Sequence, residues 1–507
     1  MAKSNKQGLV LTALLLSILM ASMDNTIVAT AIGTIVGDLG GFDQLMWVTS
    51  AYMVAEMAGM PIFGKLSDMY GRKRFFVFGI IVFMAGSALC GTADSILQLS
   101  IYRAIQGIGG GALMPIAFTI MFDVVPPDKR GKVGGLFGAM FGLSSIFGPL
   151  AGAYLTDYLH WSWIFYINLP IGLLALVFIA FFYKESVEHT KQKIDYLGAI
   201  TLIGSIVCMM FALELGGKEY AWDSGTIIGL FSSFAILMVA FVFIELRAEE
   251  PIITFSMFKN RLYWTSNVMA IFSGAAFITA SIYIPVFIQG VLGGSAIKSG
   301  LVLLPMMLGS VVTAGGGGAL LTKFKYRTIM IPTLTLLMIG MALLTTLTTD
   351  SSRFIVTVFM ILVGLGIGSS FSVLSNAAIH GFAVRQRGSA SSTLNFNREL
   401  GMTLGITIFG MIQSQIFAKK LATIFGSGGE ASNGVNLIDP SKMLTPDTRS
   451  SIPAPVLDKI SEALTSSLVY TFAWAIVPAA IALVAALFMS KEKFDPASEM
   501  DAYSSSH

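Results

Sequence analysis

The chain has 507 residues, 55% of them hydrophobic and 12% charged, where a soluble domain carries about 25% charged residues; most of it belongs in a lipid bilayer. A formal net charge of +3, with no basic arm bearing interleaved aromatics, excludes a nucleic-acid partner. Cys90 and Cys208 lie in apolar runs and read as small hydrophobes, and four scattered histidines give no metal-ligand spacing, so no metal site is expected.

A membrane-spanning helix needs about 20 apolar residues. Fourteen runs qualify, at about 8–34, 44–64, 75–94, 98–123, 132–156, 162–183, 195–216, 225–246, 263–291, 297–321, 328–348, 354–380, 388–418 and 466–490. Lysines precede the first run and no small-residue cleavage site follows it, so a retained helix is expected rather than a signal peptide. With both termini cytoplasmic, 22 of the 32 Lys and Arg residues fall in inner segments and 8 in outer ones, while Arg103 and Arg398 lie inside helices. That bias orients the chain. The segment 420–465, rich in Gly, Ser, Asn, Asp and Pro, is expected outside and mobile, with a short amphipathic helix at 455–465.

A faint repeat is present. Gly64 and Leu66 match Gly318 and Leu320 at an offset of 254, and Arg130-Gly131 matches Arg387-Gly388 at an offset of 257. Asp123 and His380 each stand seven residues before those arginines. The expected plan is therefore all-α and polytopic: a six-helix bundle at 1–188, two inserted helices at 189–255, a second six-helix bundle at 256–492 and a polar tail at 493–507. Repeated halves place a substrate site near the midplane between them.

The charges inside the runs come next, in chain order. Asp24 lies slightly outward of the centre of the first run, and Glu56 near the centre of the second. Arg103 sits in the outer half of the fourth, and Arg398-Glu399 in the inner half of the thirteenth. A charge at a helix centre costs on the order of 2.5–3.5 kcal/mol, so such residues face a cavity or pair with one another. A carboxylate in low dielectric can hold a proton and release it when water or a cation arrives. Arg398 and Glu399 have the alternative of pairing locally.

GKLSDMYGRKR (64–74) is the densest inner charge cluster, with Asp68 expected in a tight turn and Gly71 free to take positive φ. Asp68, Arg72 and Asp123 are expected to form a charge network at the cytoplasmic rim, with Gly64, Gly71, Arg74 and Arg130 as its further members. RAIQGIGGGALMP (103–115) lets another backbone approach at its glycines. No Lys-Ser/Thr follows them, so this is not a phosphate loop, and ATP hydrolysis is not expected. In the fifth run, Gly134, Gly138 and Gly142 make a small-residue face ahead of Gly148, Pro149 and Gly152, where a kink is expected. Tyr283 and Gln289 are candidate polar contacts for a substrate, alongside Asp24, Glu56, Arg398 and Glu399.

These stretches resemble a known family. GKLSDMYGRKR is similar to the loop signature of the major facilitator superfamily, RAIQGIGGG to its helix-4 signature, and GPLAGA (148–153) to its antiporter signature. MDNTIVATA (23–31) and WSWIFYINLPIG (161–172) resemble marks of the fourteen-helix drug/proton antiporter group. Two positions depart from the antiporter signature: Ala153 follows Gly152, and Ser144 stands four residues before Gly148. The resemblance implies a major facilitator fold, rocker-type alternating access and export of amphipathic, often cationic, compounds. It makes Asp24 the membrane carboxylate, gives Arg103 a part in proton transfer and has Asp68 and Arg72 hold the inner gate. The expected function is proton-coupled multidrug efflux from a bacterial cytoplasmic membrane by a monomer, with the proton gradient as energy source and no cofactor. Export of one metabolite, lipid or siderophore is an alternative, as is a non-transporting sensor on a transporter scaffold. No catalytic constellation suggests an enzyme.

Overall fold

A computed structural model describes residues 2–40, 46–126, 129–185, 194–217, 219–294, 296–383, 386–425 and 453–494. The first group of helices is α1 (Ala2–Leu39), α2 (Met46–Tyr70), α3 (Arg72–Cys90), α4 (Ile96–Val124), α5 (Arg130–Tyr158), the single turn α6 (Trp163–Tyr166) and α7 (Asn168–Phe182). Then come α8 (Tyr196–Leu215) and α9 (Gly225–Glu245). The second group is α10 (Arg261–Val286), α11 (Ala296–Leu320), α12 (Tyr326–Leu344), α13 (Arg353–Ile379), α14 (Arg387–Phe425) and α15 (Ala454–Phe488). Twelve segments among the described residues are long and apolar enough to cross a membrane; α2 and α5, at 25 and 29 residues, are also of spanning length.

Several starts follow from local chemistry. Ser95, Asp195, Ser224, Asn260 and Ser352 each cap a helix, their side chains accepting first-turn N–H groups of α4, α8, α9, α10 and α13. Gly71 takes φ 113°, which turns the chain sharply from α2 into α3. In α4, a Cβ at Gly109 would lie 2.7 Å from Gly79 O, and one at Gly111 would lie 2.5 Å from Glu56 O. Those glycines let α2 and α3 press onto α4.

The two groups repeat one packing pattern. In the first, α2 and α3 pack on α4, and α5 and α7 on α1; in the second, α11 and α12 pack on α13, and α14 and α15 on α10. The groups meet along α5 with α11 and α2 with α14. α8 and α9 pack on each other, α8 also touches α2, and α9 turns most of its surface outward.

Three sequence expectations change. The run 162–183 is a turn followed by a helix, α6 and α7. The segment 455–465 is no separate helix but the start of the 35-residue α15, and α14 runs on to Phe425. Helices outrun the apolar band because their backbone bonds are made internally whatever the side chains. Asp68 lies in the last turn of α2 rather than in a turn between helices. The rest of the expected loop, 426–452, and the tail, 495–507, lie outside the described residues.

Candidate functional site

Among the described residues, three charged clusters bear on the site. In the first, Asp24 of α1 and Arg103 of α4 form a fully buried ion pair, both 0% exposed. Arg103 Nη1 donates to Asp24 Oδ2 and, at 2.7 Å, to Gln106 Oε1; its Nε donates to Val48 O at 3.2 Å. Asp24 Oδ1 accepts from Gln106 Nε2 at 2.8 Å and from Asn168 Nδ2 at 2.9 Å. Gln106 and Asn168 also donate to Ser87 Oγ. The guanidinium lies 4.2 Å from the Tyr52 ring centre. Such stacking suits a cation in a desolvated site. Each charge is thus paired and hydrogen-bonded, the condition for keeping ions in a low dielectric.

The second cluster lines a central cavity of 290 Å³ with walls from both groups of helices. Glu56 of α2 faces it from one side, and Arg398 and Glu399 of α14 from the other. Methionines 53, 57, 60, 114, 307 and 402 supply much of the rest, with Phe277 and Phe371. Asn25 faces the cavity as well and lies within hydrogen-bonding reach of Glu56. Arg398 and Glu399 do not pair with each other: Arg398 donates to Asn395 Oδ1 at 2.9 Å and to Ser370 O at 3.1 Å, with its guanidinium 5.0 Å from the Phe371 ring centre. Adjacent residues on a helix point about 100° apart. Arg398 is therefore held by α13, while its neighbour is left to the cavity.

Here the structure corrects the expected pocket. Asp24 does not line the cavity, because the same 100° step sends Asn25 there and Asp24 into the bundle. Tyr283 and Gln289 do not line it either; Gln289 donates to Ser299 Oγ at 3.0 Å. Tyr52 separates the first two clusters. Its ring carries Arg103, and its hydroxyl sits beside Gly110, as does Glu56 Oε1. That hydroxyl makes no hydrogen bond among the described residues.

The third cluster joins the two groups at the end of the bundle that bears the basic loops. Arg72 pairs with Asp123 and, at 3.3 Å, with Asp68. Its backbone N–H donates to Glu185. Asp68 also crosses to the second group, accepting from Gly388 N at 3.0 Å and Ser389 N at 2.8 Å in the first turn of α14. A carboxylate at a helix N-terminus meets both free N–H groups and the positive dipole end. A Cβ at Gly64 would collide with Ser392, so glycine there lets α2 and α14 close up. Arg130 donates to Phe122 O at 2.9 Å and Val125 O at 3.2 Å, tying α5 to the end of α4. Arg74 is exposed and stands outside this network, contrary to expectation, since it falls on the outer face of α3.

Farther up α5, a Cβ at Gly148 would clash with Thr26 Oγ1, and Thr26 donates to Ser144 O at 3.0 Å. Pro149 lies within an unbroken helix, and Gly152 is buried.

Gln106, Asn168 and Tyr52 were not singled out from the sequence, although Gln106 and Asn168 lie inside two of the quoted motifs. Their signal was polarity inside an apolar run. Lys65 and Glu250, paired at 2.7 Å, were missed because 185 residues separate them.

The family model of the Major Facilitator Superfamily matches residues 14–406. The chain is 54% identical to "Multidrug resistance protein 3" of Bacillus subtilis (strain 168), over 98% of each chain. It is 37% identical to "Multidrug transporter protein MdtP" of the same organism, over 92% of this chain and 89% of that one. Among solved structures, the proton:xylose symporter XylE bound to 6-bromo-6-deoxy-D-glucose aligns with a TM-score of 0.60 at 14% identity, covering 96% of this chain and 95% of that one. The human organic anion transporter MFSD10 aligns with a TM-score of 0.58 at 14% identity, covering 93% and 99%. At that identity the likeness is one of fold. The repeated packing, the intramembrane charges and the match across most of the chain lead to one conclusion: this protein belongs to the major facilitator superfamily.

Proposed function

We propose that the protein is a multidrug efflux transporter that exports amphipathic, often cationic compounds in exchange for protons. The observation that carries this reading is the central cavity. Two acids, Glu56 and Glu399, face one methionine-rich space from opposite groups of helices. Unbranched thioether side chains adapt to many apolar shapes, and a carboxylate in low dielectric favours a cation or a proton over remaining bare. Identity of 54% and 37% over most of both chains to relatives named as multidrug proteins supports the same reading.

In the exchange, a proton leaves a cavity carboxylic acid for the cytoplasm as a cationic substrate arrives. After the halves rock, a proton from outside returns to the carboxylate and the substrate leaves. A tenfold proton gradient is worth about 1.4 kcal/mol per proton. The Asp24–Arg103 pair lies one helix face away, and Tyr52 stands between it and Glu56. That pair ties α1 to α4, so a change at either residue reaches the packing of the first group. Both termini face the cytoplasm in this reading, so the Asp68–α14 contact closes the inner side.

The test is reconstitution of the purified chain in proteoliposomes under an imposed pH gradient. Proton release on adding several unrelated lipophilic cations, absent in Glu56→Gln, is the expected result. Binding of those cations without any flux would point to a sensor and overturn the reading.

A further inference from the structure

Outside the transport pathway, two hollows adjoin at the basic end of the second group of helices. One, of 460 Å³, is lined by Lys325, Arg327, Thr328, Ile331, Pro332 and Lys491. The other, of 430 Å³, runs along α11 and α12 and shares Thr328 and Pro332 with the first. Its walls are mostly apolar, among them Val312, Leu320 and Phe324, which are 65%, 42% and 47% exposed. Together they make a cationic mouth that continues into an apolar groove on the outer surface of the bundle.

The cations of the mouth face outward: Lys325 and Lys491 are exposed and Arg327 is half-buried. Among the described residues, the side chains of Lys325, Arg327 and Lys491 make no hydrogen bond or ion pair, although the three line one space. No side chain caps the start of α12, which opens at the same place. The neighbouring carboxylate of Glu492 is occupied, accepting from Ser490 Oγ at 2.8 Å and lying 3.6 Å from His380 Nε2. The matching region of the first group is filled differently: Lys73 Nζ donates to Ala180 O and Tyr183 O at 2.7 and 2.8 Å. The groove is open for a built reason as well. A Cβ on Gly316, which faces it, would meet nothing within 4 Å.

We propose that this mouth and groove bind an anionic phospholipid, its phosphate held by Lys325, Arg327 and Lys491 and an acyl chain lying between α11 and α12. Free phosphate would satisfy the mouth alone. The lipid is favoured because the apolar groove begins where the cations end, at the depth where a headgroup gives way to its chains. Basic pockets between membrane helices suit anionic headgroups in this way. The site is separate from the central cavity and holds whatever the cargo is.

Native mass spectrometry of the purified full chain with phosphatidylglycerol or phosphatidylcholine tests it. Three basic residues near an anionic headgroup give a preference for phosphatidylglycerol on the order of tenfold to a hundredfold. The preference should vanish in the variant carrying Lys325→Gln, Arg327→Gln and Lys491→Gln. Gly316→Leu, which fills open space without touching the cations, should weaken retention of the lipid while the melting temperature holds. Undiminished preference in both variants overturns the proposal. So does displacement of the lipid by inorganic phosphate or glycerol phosphate, which would make the mouth a free-anion site.

Discussion

The two groups of helices share one packing pattern but not one chemistry. In the first, α4 carries Arg103, paired with Asp24; at the matching position 257 residues on, α13 carries Met360, buried and apolar. At the basic end, Arg72, Asp123 and Asp68 of the first group correspond to Tyr326, His380 and Thr322 of the second. The ion-pair network becomes a 3.3 Å contact between Tyr326 Oη and His380 Nδ1. Arg130 and Arg387 keep the same task, each donating through Nε to a carbonyl five residues earlier. The scaffold is thus duplicated, whereas the buried charge pair and the reach of Asp68 across to α14 belong to the first group alone. A helix bundle tolerates such divergence because packing depends on side-chain volume and glycine placement. Polar function depends on a few side chains that either group can supply.

That asymmetry can be broken most severely at Asp24. Asp24→Asn should reduce coupled export to background in vesicle assays. It should also lower stability by about 3–5 kcal/mol, because Arg103 is left buried without its counter-charge. The double replacement Asp24→Leu with Arg103→Leu should recover most of that stability, as measured by thermal unfolding, and still not transport. Recovery of transport in the double variant would show the pair to be structural.

Next in size is the cavity. Glu56→Gln should abolish proton release by cationic substrates. Glu399→Gln should leave measurable exchange, since Glu56 and its Asn25 partner remain. Equal loss in the two variants would mean that both groups share the coupling.

A smaller effect is expected at the latch. Asp68→Asn removes the negative charge that accepts the Gly388 and Ser389 N–H groups. Hydrogen bonds to a charged group contribute about 1.5–3 kcal/mol, which shifts the equilibrium about tenfold or more toward an open inner end. Spin-label distances between the ends of α2 and α14 should lengthen. The converse change, Thr322→Asp, should leave those distances unchanged.

The smallest effect is at the second group's own rim. His380 lies 3.6 Å from Glu492, and the pair is partly exposed. Such pairs are worth about 0–1 kcal/mol, so His380→Ala should alter export by less than severalfold in the same vesicle assay.

Much of this was legible in the chain. Apolar run length marked where helices lie, and the residues that match at two offsets accord with the packing pattern the two groups share. Asp24, Glu56 and Arg103 stood out because a charge in an apolar run has few harmless explanations. What stayed hidden was direction. Nothing in MDN told that Asp24 turns into the bundle and Asn25 toward the cavity. Tyr283 and Gln289 looked equally suited to a substrate, yet they do not line the central cavity. The continuity of α15 through 455–465 was also missed, because hydropathy reports where lipid is, not where a helix stops.

The sequence by itself determined a polytopic helical membrane protein with matching motifs and charges inside its apolar runs. Apolar length, charge bias and repeated motifs are local properties, and each is set by residues read in order. Only the tertiary structure decided which charges meet. Asp24 is 79 residues from Arg103, and Asp68 is 320 from Gly388. Those pairings follow from how whole helices rotate and cross, and rotation is fixed by the fit of every face at once.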